Sequence, residues 1–124
     1  FEFDVKSKKL QESLNKIQEI DIERAGDVYS FYSDLNEAMA SIASKCRHGS
    51  YQFWVVGNRT VKGEKLKTDE IIAELAQAHN LEHVYTIGRN IHNKVMPSKN
   101  SPSNKAGKTV STMVNEHIVI LRKK

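Results

Sequence analysis

Four lysines, Lys94, Lys99, Lys105 and Lys108, lie in one stretch, 89–112, that contains no acidic residue. Both prolines of the chain, Pro97 and Pro102, fall in the same stretch, with Asn-Ser-Pro-Ser-Asn at its centre. Ammonium groups without neighbouring carboxylates suit phosphate contacts, and each such contact adds to the salt dependence of binding. A connection of about 20 residues without regular structure is uncommon in a compact domain and is usually functional or disordered. A second polar point follows an aromatic run: Gly57-Asn58-Arg59-Thr60. There Asn58 and Arg59 could shape a pocket or simply close a strand.

Other chemistries are poorly supported. His79 and His83 are four apart, but Asn80 between them reads as a helix stop, so they would not share a helix face as metal ligands. No metal site is expected. Cys46 falls on an apolar helix stripe and reads as a small core residue. Phe53 and Trp54 point to opposite sides of a strand, with packing as their default role, and the same holds for Tyr85. Gly107-Lys108-Thr109 has the ending of a nucleotide-triphosphate loop, but the glycine required five residues upstream is Pro102. Gly57 and Gly63 are six apart and lack that ending altogether.

The elements that must position these residues belong to a small basic domain. The chain has 124 residues, a formal net charge of +4 and an isoelectric point near 9.2. That charge favours an anionic partner such as nucleic acid. Hydrophobic residues make up 39%, at the low end for a globular protein, which fits either a small domain with much exposed surface or a piece whose core is completed by another chain. A single cysteine excludes an internal disulfide framework and fits a reducing, cytoplasmic setting. No apolar run is long enough to span a membrane, and no membrane partner is expected. The opening Phe1-Glu2-Phe3-Asp4-Val5 reads as a strand-like remnant of something longer.

Apolar spacing predicts a thin-striped, peripheral helix over 7–22 through Leu10, Leu14 and Ile17. Gly26 predicts a break, with Asp27 capping a second helix. That helix carries Val28, Tyr32, Leu35, Met39, Ile42 and Cys46 on one core face. Lys45, Arg47 and His48 would complement its C-terminal dipole, with Gly49 as its cap. Tyr51–Gly57 reads as a buried strand and 61–67 as a polar loop. Thr68 would cap a third helix with Ile71, Ile72, Leu75 and Ala76 inward, ending at Asn80. Residues 81–89 predict a strand packed through Val84, Tyr85 and Ile87. Residues 117–121 form an unbroken apolar run expected to be buried on both faces. The whole is one partial domain, 1–124, divided into a peripheral N-terminal helix, 1–26, and a main part, 27–124.

This order resembles the C-terminal half of the class I S-adenosylmethionine-dependent methyltransferase fold. Tyr51–Gly57 looks like its fifth strand, 81–89 its sixth and 117–121 its antiparallel seventh. The local sequences resemble bacterial DNA amino-methyltransferases of the restriction-modification type. The matching runs are Val55-Val56-Gly57-Asn58-Arg59-Thr60-Val61, Arg89-Asn90-Ile91 and Met96-Pro97-Ser98-Lys99-Asn100-Ser101-Pro102. Gly107-Lys108-Thr109 and Glu116-His117-Ile118-Val119-Ile120 look like the closing segment. The resemblance covers roughly residues 24–123.

It implies an α/β fold: half of a Rossmann-like sheet, three strands with the middle one antiparallel, and three helices. Tyr51–Gly57 would lie next to 117–121, and 81–89 on its other side. The family's Phe-x-Gly-x-Gly-like cofactor turn and Asp-Pro-Pro-Tyr-type catalytic motif are absent from this chain. The resemblance therefore implies S-adenosylmethionine in the parent enzyme and none on this chain alone, with no catalytic residue here. The partners it implies are DNA and an N-terminal half or second subunit that carries those motifs. Its substrate-face residues would be Asn58, Arg59, Arg89, Lys94, Ser98, Lys99, Asn100, Lys105 and Lys108. Two other functions compete: a non-enzymatic nucleic-acid-binding module using 89–112, and a structural subunit that completes another chain's sheet.

Overall fold

The computed structural model describes residues 3–91 and 114–124. Helices α1 (Lys8–Ile20) and α2 (Ile22–Ser44) are followed by strand β1 (Tyr51–Gly57) and a small hairpin, β2 (Arg59–Val61) and β3 (Glu64–Leu66). Helix α3 (Thr68–Ala76) runs on into a 3-10 turn, Gln77–His79, before β4 (Leu81–Ile91) and β5 (Val114–Lys123).

The main sheet has the order β1-β5-β4, and β5 runs antiparallel to both neighbours. β1 and β4 are therefore parallel to each other, and α3 connects them. This is the strand order the sequence implied, with the last strand inserted between the other two. β5 satisfies both of its backbone edges within the sheet, while β1 and β4 are left as edges. The hairpin β2–β3 was expected to be a loop. Its two turn residues, Lys62 and Gly63, both take positive φ (51° and 81°), the twist that suits a two-residue hairpin. Val61 and Leu66 pin it to the core at 3% and 0% exposure.

α1 begins at Ser7, whose side chain accepts from the Leu10 amide at 3.2 Å and donates to Glu74 of α3 at 2.6 Å. One hydroxyl thus caps a helix and ties it to another. Leu10, Leu14 and Ile17 are fully buried, so α1 is part of the core rather than peripheral. The expected break at Gly26 does not occur. Asp21 closes α1 and also caps α2, accepting from the Arg24 amide at 3.1 Å. Gly26 lies inside α2, where tertiary packing of a 23-residue helix overrides one unfavourable propensity.

On α2, Val28, Tyr32, Met39 and Ala43 are buried, whereas Ile42 is exposed beside the β1 edge. Its C-terminus is met by Lys123 of β5, whose Nζ donates to the Ala43 carbonyl at 2.9 Å. The helix ends at Ser44, before Lys45, Arg47 and His48. Thr68 is the first residue of α3 rather than its cap; its hydroxyl is buried and pairs with the Tyr32 hydroxyl at 2.7 Å.

α3 covers one face of the sheet. Beneath it Leu81, Val119 and Leu121 are buried, and Gln52, Trp54 and Val56 of β1 face the same side. The two-sided burial expected of β5 is not found: Ile118 and Ile120 are only half-buried. Val84, Tyr85 and Ile87 are not packing residues either. A bulge between His83 and Tyr85 inserts Val84 as an extra residue. The period-2 alternation then slips, so Leu81 faces the helices while Tyr85 and Ile87 face away from them. Phe53 is likewise on the uncovered side and is no core residue.

Candidate nucleic-acid interface

Parallel strands bring their carboxyl ends to one side, the side on which ligands bind in open α/β sheets. In this sheet that end is a single cross-strand row. Gly57 of β1 pairs with Glu116 of β5, which pairs with Arg89 of β4. Asn58 and Arg59 follow directly, and the hairpin projects from them. Ile91 and Val114, which flank 92–113, are register partners at the same end. The structure thus brings Asn58, Arg59 and Arg89 to one edge. The other sequence-predicted residues, Lys94, Ser98, Lys99, Asn100, Lys105 and Lys108, lie outside the described residues.

The three placed residues are in different states. Arg89 is held by Glu116, with Nε and Nη2 donating to Oε2 at 3.0 and 2.8 Å. Glu116 was missed by reasoning from sequence. Its signal was present, a lone carboxylate opening an apolar strand, but its opposite number depended on register. Arg59 lies over the Phe31 ring, 5.7 Å from its centroid, and stays exposed. Asn58 is half-buried, and its Oδ1 is shielded from solvent with no hydrogen-bond partner.

Among the described residues three other atoms share that condition: Nδ1 of His117, one residue along β5 from Glu116, Oδ1 of Asp69 in the first turn of α3, and Oε1 of Gln18 in α1. His117 pairs in register with Val56 and Gly88, and a Cβ built on Gly88 would come within 3.8 Å of its ring. Unpaired buried polar atoms cost free energy and tend to mark places where a further group binds. Asn58 and His117 lie at the carboxyl end, beside the row of Gly57 and Arg89, and give this edge hydrogen-bonding capacity next to its arginines.

A groove between α1 and the hairpin holds Lys9, Lys16, Lys65 and Lys67 beside Glu12 and Glu64. Lys16 pairs with Glu64 at 3.9 Å, and Lys9 and Lys67 both reach Glu70, at 3.3 and 3.8 Å. His79 bonds Asn36 at 2.7 Å, and partial burial holds its pKa below the usual imidazole value. His83 bonds Thr86 instead, at 2.6 Å. Among the described residues no group of three or more His, Cys, Asp or Glu is placed to hold a metal.

Among the described residues, the connection from β1 to α3 differs from the glycine turn of a Rossmann unit. β1 is followed by the hairpin rather than by a glycine turn into a helix, and α3 starts without a side-chain cap. Among the described residues, positive-φ glycines occur only at Gly49 and at Gly63, the latter in the turn of the hairpin that links β1 to α3.

Comparison with known proteins decides the kinship. Over 108 residues, 87% of this chain, the sequence is 46% identical to the type II methyltransferase M.MvaI of Kocuria varians. The chain is a relative of the C-terminal part of a type II methyltransferase. It spans 24% of the length of that methyltransferase. No family model matches the chain, and no solved structure matches it. Set against this methyltransferase kinship, the strand order β1-β5-β4 agrees with the last three strands of the fold that the sequence resembles.

Proposed function

We propose that this chain is the C-terminal part of a site-specific, S-adenosylmethionine-dependent DNA amino-methyltransferase, and that it completes the fold and contacts the DNA. The observation that carries this reading is the 46% identity to a type II methyltransferase along 87% of the chain. The antiparallel central strand supports it. Methyl transfer belongs to residues outside this chain, whose sequence holds neither the Phe-x-Gly-x-Gly-like turn nor the Asp-Pro-Pro-Tyr-type motif. The chain's task is to hold the substrate at the carboxyl edge of its parallel strands. An exocyclic amino group cannot be reached inside the base stack, so the target base is flipped out of the duplex. Arg59 and the lysines 94, 99, 105 and 108 neutralise phosphates flanking that base. Asn58, Ser98 and Asn100 offer hydrogen-bonding groups to it or to its neighbours. Arg89, fixed by Glu116, presents its remaining N–H groups in one orientation.

The test uses the assembled protein. Replacing Lys94, Lys99, Lys105 and Lys108 together by alanine should weaken DNA binding. It should also flatten the dependence of log affinity on log salt by up to about 0.9 per lost phosphate contact. A slope that does not move would show that these lysines only solvate a connector. DNA binding by the chain alone, with no methylation in any assembly, would favour the non-enzymatic nucleic-acid-binding module instead.

A further inference from the structure

The hairpin β2–β3 stands apart from the main sheet and starts at Arg59, just past the carboxyl end of β1. Its two faces are unlike. One carries Arg59, Val61, Glu64 and Leu66 and is turned to the helices. Val61 and Leu66 are buried, and Arg59 lies over Phe31 of α2. Glu64 accepts from Ser13 of α1 at 2.9 Å and pairs with Lys16 at 3.9 Å. The other face carries the cross-strand pair Thr60 and Lys65, both exposed. At the turn, Lys62 reaches Asp21, between α1 and α2, at 3.5 Å. A Cβ built on Gly63 would meet nothing within 4 Å. Both helices therefore brace the hairpin, while Thr60, Gly63 and Lys65 are left to the solvent.

Charge and side-chain type choose the partner. From Arg59 to Lys67 the sequence has four cations, Arg59, Lys62, Lys65 and Lys67, and one carboxylate, Glu64, which α1 engages. Lys62 and Lys67 are paired with Asp21 and Glu70. Lys65 borders the groove against α1, yet among the described residues neither it nor Arg59 is in an ion pair. The hairpin exposes no apolar side chain, so it lacks the apolar centre that a protein interface is built on. It carries no aromatic ring on which the bases of a single strand could stack. Unpaired cations beside a hydroxyl are the groups that hold the phosphates of a duplex.

We propose that the hairpin β2–β3 is a phosphate clamp for duplex DNA, in which Lys65 and Thr60 hold one strand's backbone beside the carboxyl edge, whatever its base sequence. This rests on the functional reading above, in which the DNA lies at that edge. The three residues of β2 carry the turn about 10 Å beyond Asn58, so the hairpin flanks whatever the edge holds. The bracing gives the clamp its purpose. A cation on a short ribbon fixed to two helices loses less freedom on binding than one on a loose loop. Contacts of this kind set the orientation of the duplex against β1 and carry no sequence information themselves.

The experiment measures binding of the full chain to two fluorescent duplexes of unrelated sequence, by anisotropy over a range of salt concentrations. Lys65→Ala should weaken binding to both duplexes alike and lower the slope of log affinity against log salt by about 0.9, the share of one phosphate contact. Thr60→Val should weaken binding and leave the slope where it was, because a hydroxyl releases no counterion. Lys45→Ala removes the same charge just past α2, at the other end of the sheet, and should leave the slope unchanged. Thr60, Lys65 and Lys45 are all exposed, so circular dichroism should be the same for every variant. A slope for Lys65→Ala equal to that for Lys45→Ala would overturn the proposal, as would a chain that binds neither duplex. A loss confined to one duplex would make the hairpin a reader of bases, and tighter binding of an oligothymidylate would give it to single strands; either overturns the clamp. Duplex binding that depends on Lys65, in a protein that methylates no DNA in any assembly, supports the clamp and overturns the methyltransferase reading alone.

Discussion

Tyr32 joins the two halves of the core. It is 1% exposed, and its hydroxyl meets that of Thr68 at the start of α3. Burial raises the phenol pKa above its ordinary value of 10, partly offset by the Thr68 hydrogen bond and the charge of Arg59. A folded-state pKa raised in this way contributes stability that is complete below the unfolded value. That stability declines as pH climbs from about 10 through the raised folded value. Tyr32→Phe leaves the Thr68 hydroxyl unpaired and should cost about 1–2 kcal/mol near neutrality. It should also flatten the alkaline loss of stability. Urea titrations of both proteins at pH 7 and at about pH 10.5 measure the two effects separately. An equally steep alkaline decline in the variant would mean that another group governs it.

At the scale of elements, α2 shows how non-local contacts set a helix. Its start is local, at Asp21, but its end depends on Lys123, 80 residues away in sequence from the Ala43 carbonyl it meets. Lys123→Met keeps the aliphatic stem and removes the charge. It should lower stability by about 0.5–1 kcal/mol, the usual worth of a cation at a helix C-terminus, and high salt should shrink the difference. Gly26 gives the opposite sign. It sits mid-helix, and a Cβ there would meet nothing within 4 Å. Gly26→Ala should therefore stabilise the chain by about 0.5–1 kcal/mol, through helix propensity alone. A lower melting temperature in Gly26→Ala would show that helix propensity does not govern this position.

At the scale of the whole molecule, the described residues form a three-stranded main sheet. α1, α2, α3 and the hairpin share a core with its inner face, and Phe53, Val55 and Tyr85 on the other face are exposed. The carboxyl edge brings Asn58, Arg59 and Arg89 together. Calorimetry of this chain with S-adenosylmethionine should show no measurable heat of specific binding. Micromolar binding would place a cofactor site on these residues and displace the reading in which another part of the protein carries it.

Local chemistry alone determined several features. Ser7, Leu10, Leu14 and Ile17 specify α1, because a cap and a 3.6-residue period need no distant partner. The aromatic and β-branched run Tyr51–Gly57 specifies a strand. The antiparallel central strand followed from the likeness of its motifs to a known fold. What the sequence did not show depends on contacts distant along the chain. The bulge at Val84 reverses the facing of Tyr85 and Ile87, and period counting cannot locate an extra residue. The turn at Lys62-Gly63 makes a hairpin only because Val61 and Leu66 find the core. The Arg89–Glu116 pair exists only once β4 and β5 are in register. Phe53, Val55 and Tyr85 have the composition of a buried surface, and only the tertiary arrangement shows them exposed among the described residues. The reason is physical. Apolarity tells that a side chain must be covered, while the packing of distant elements decides by what.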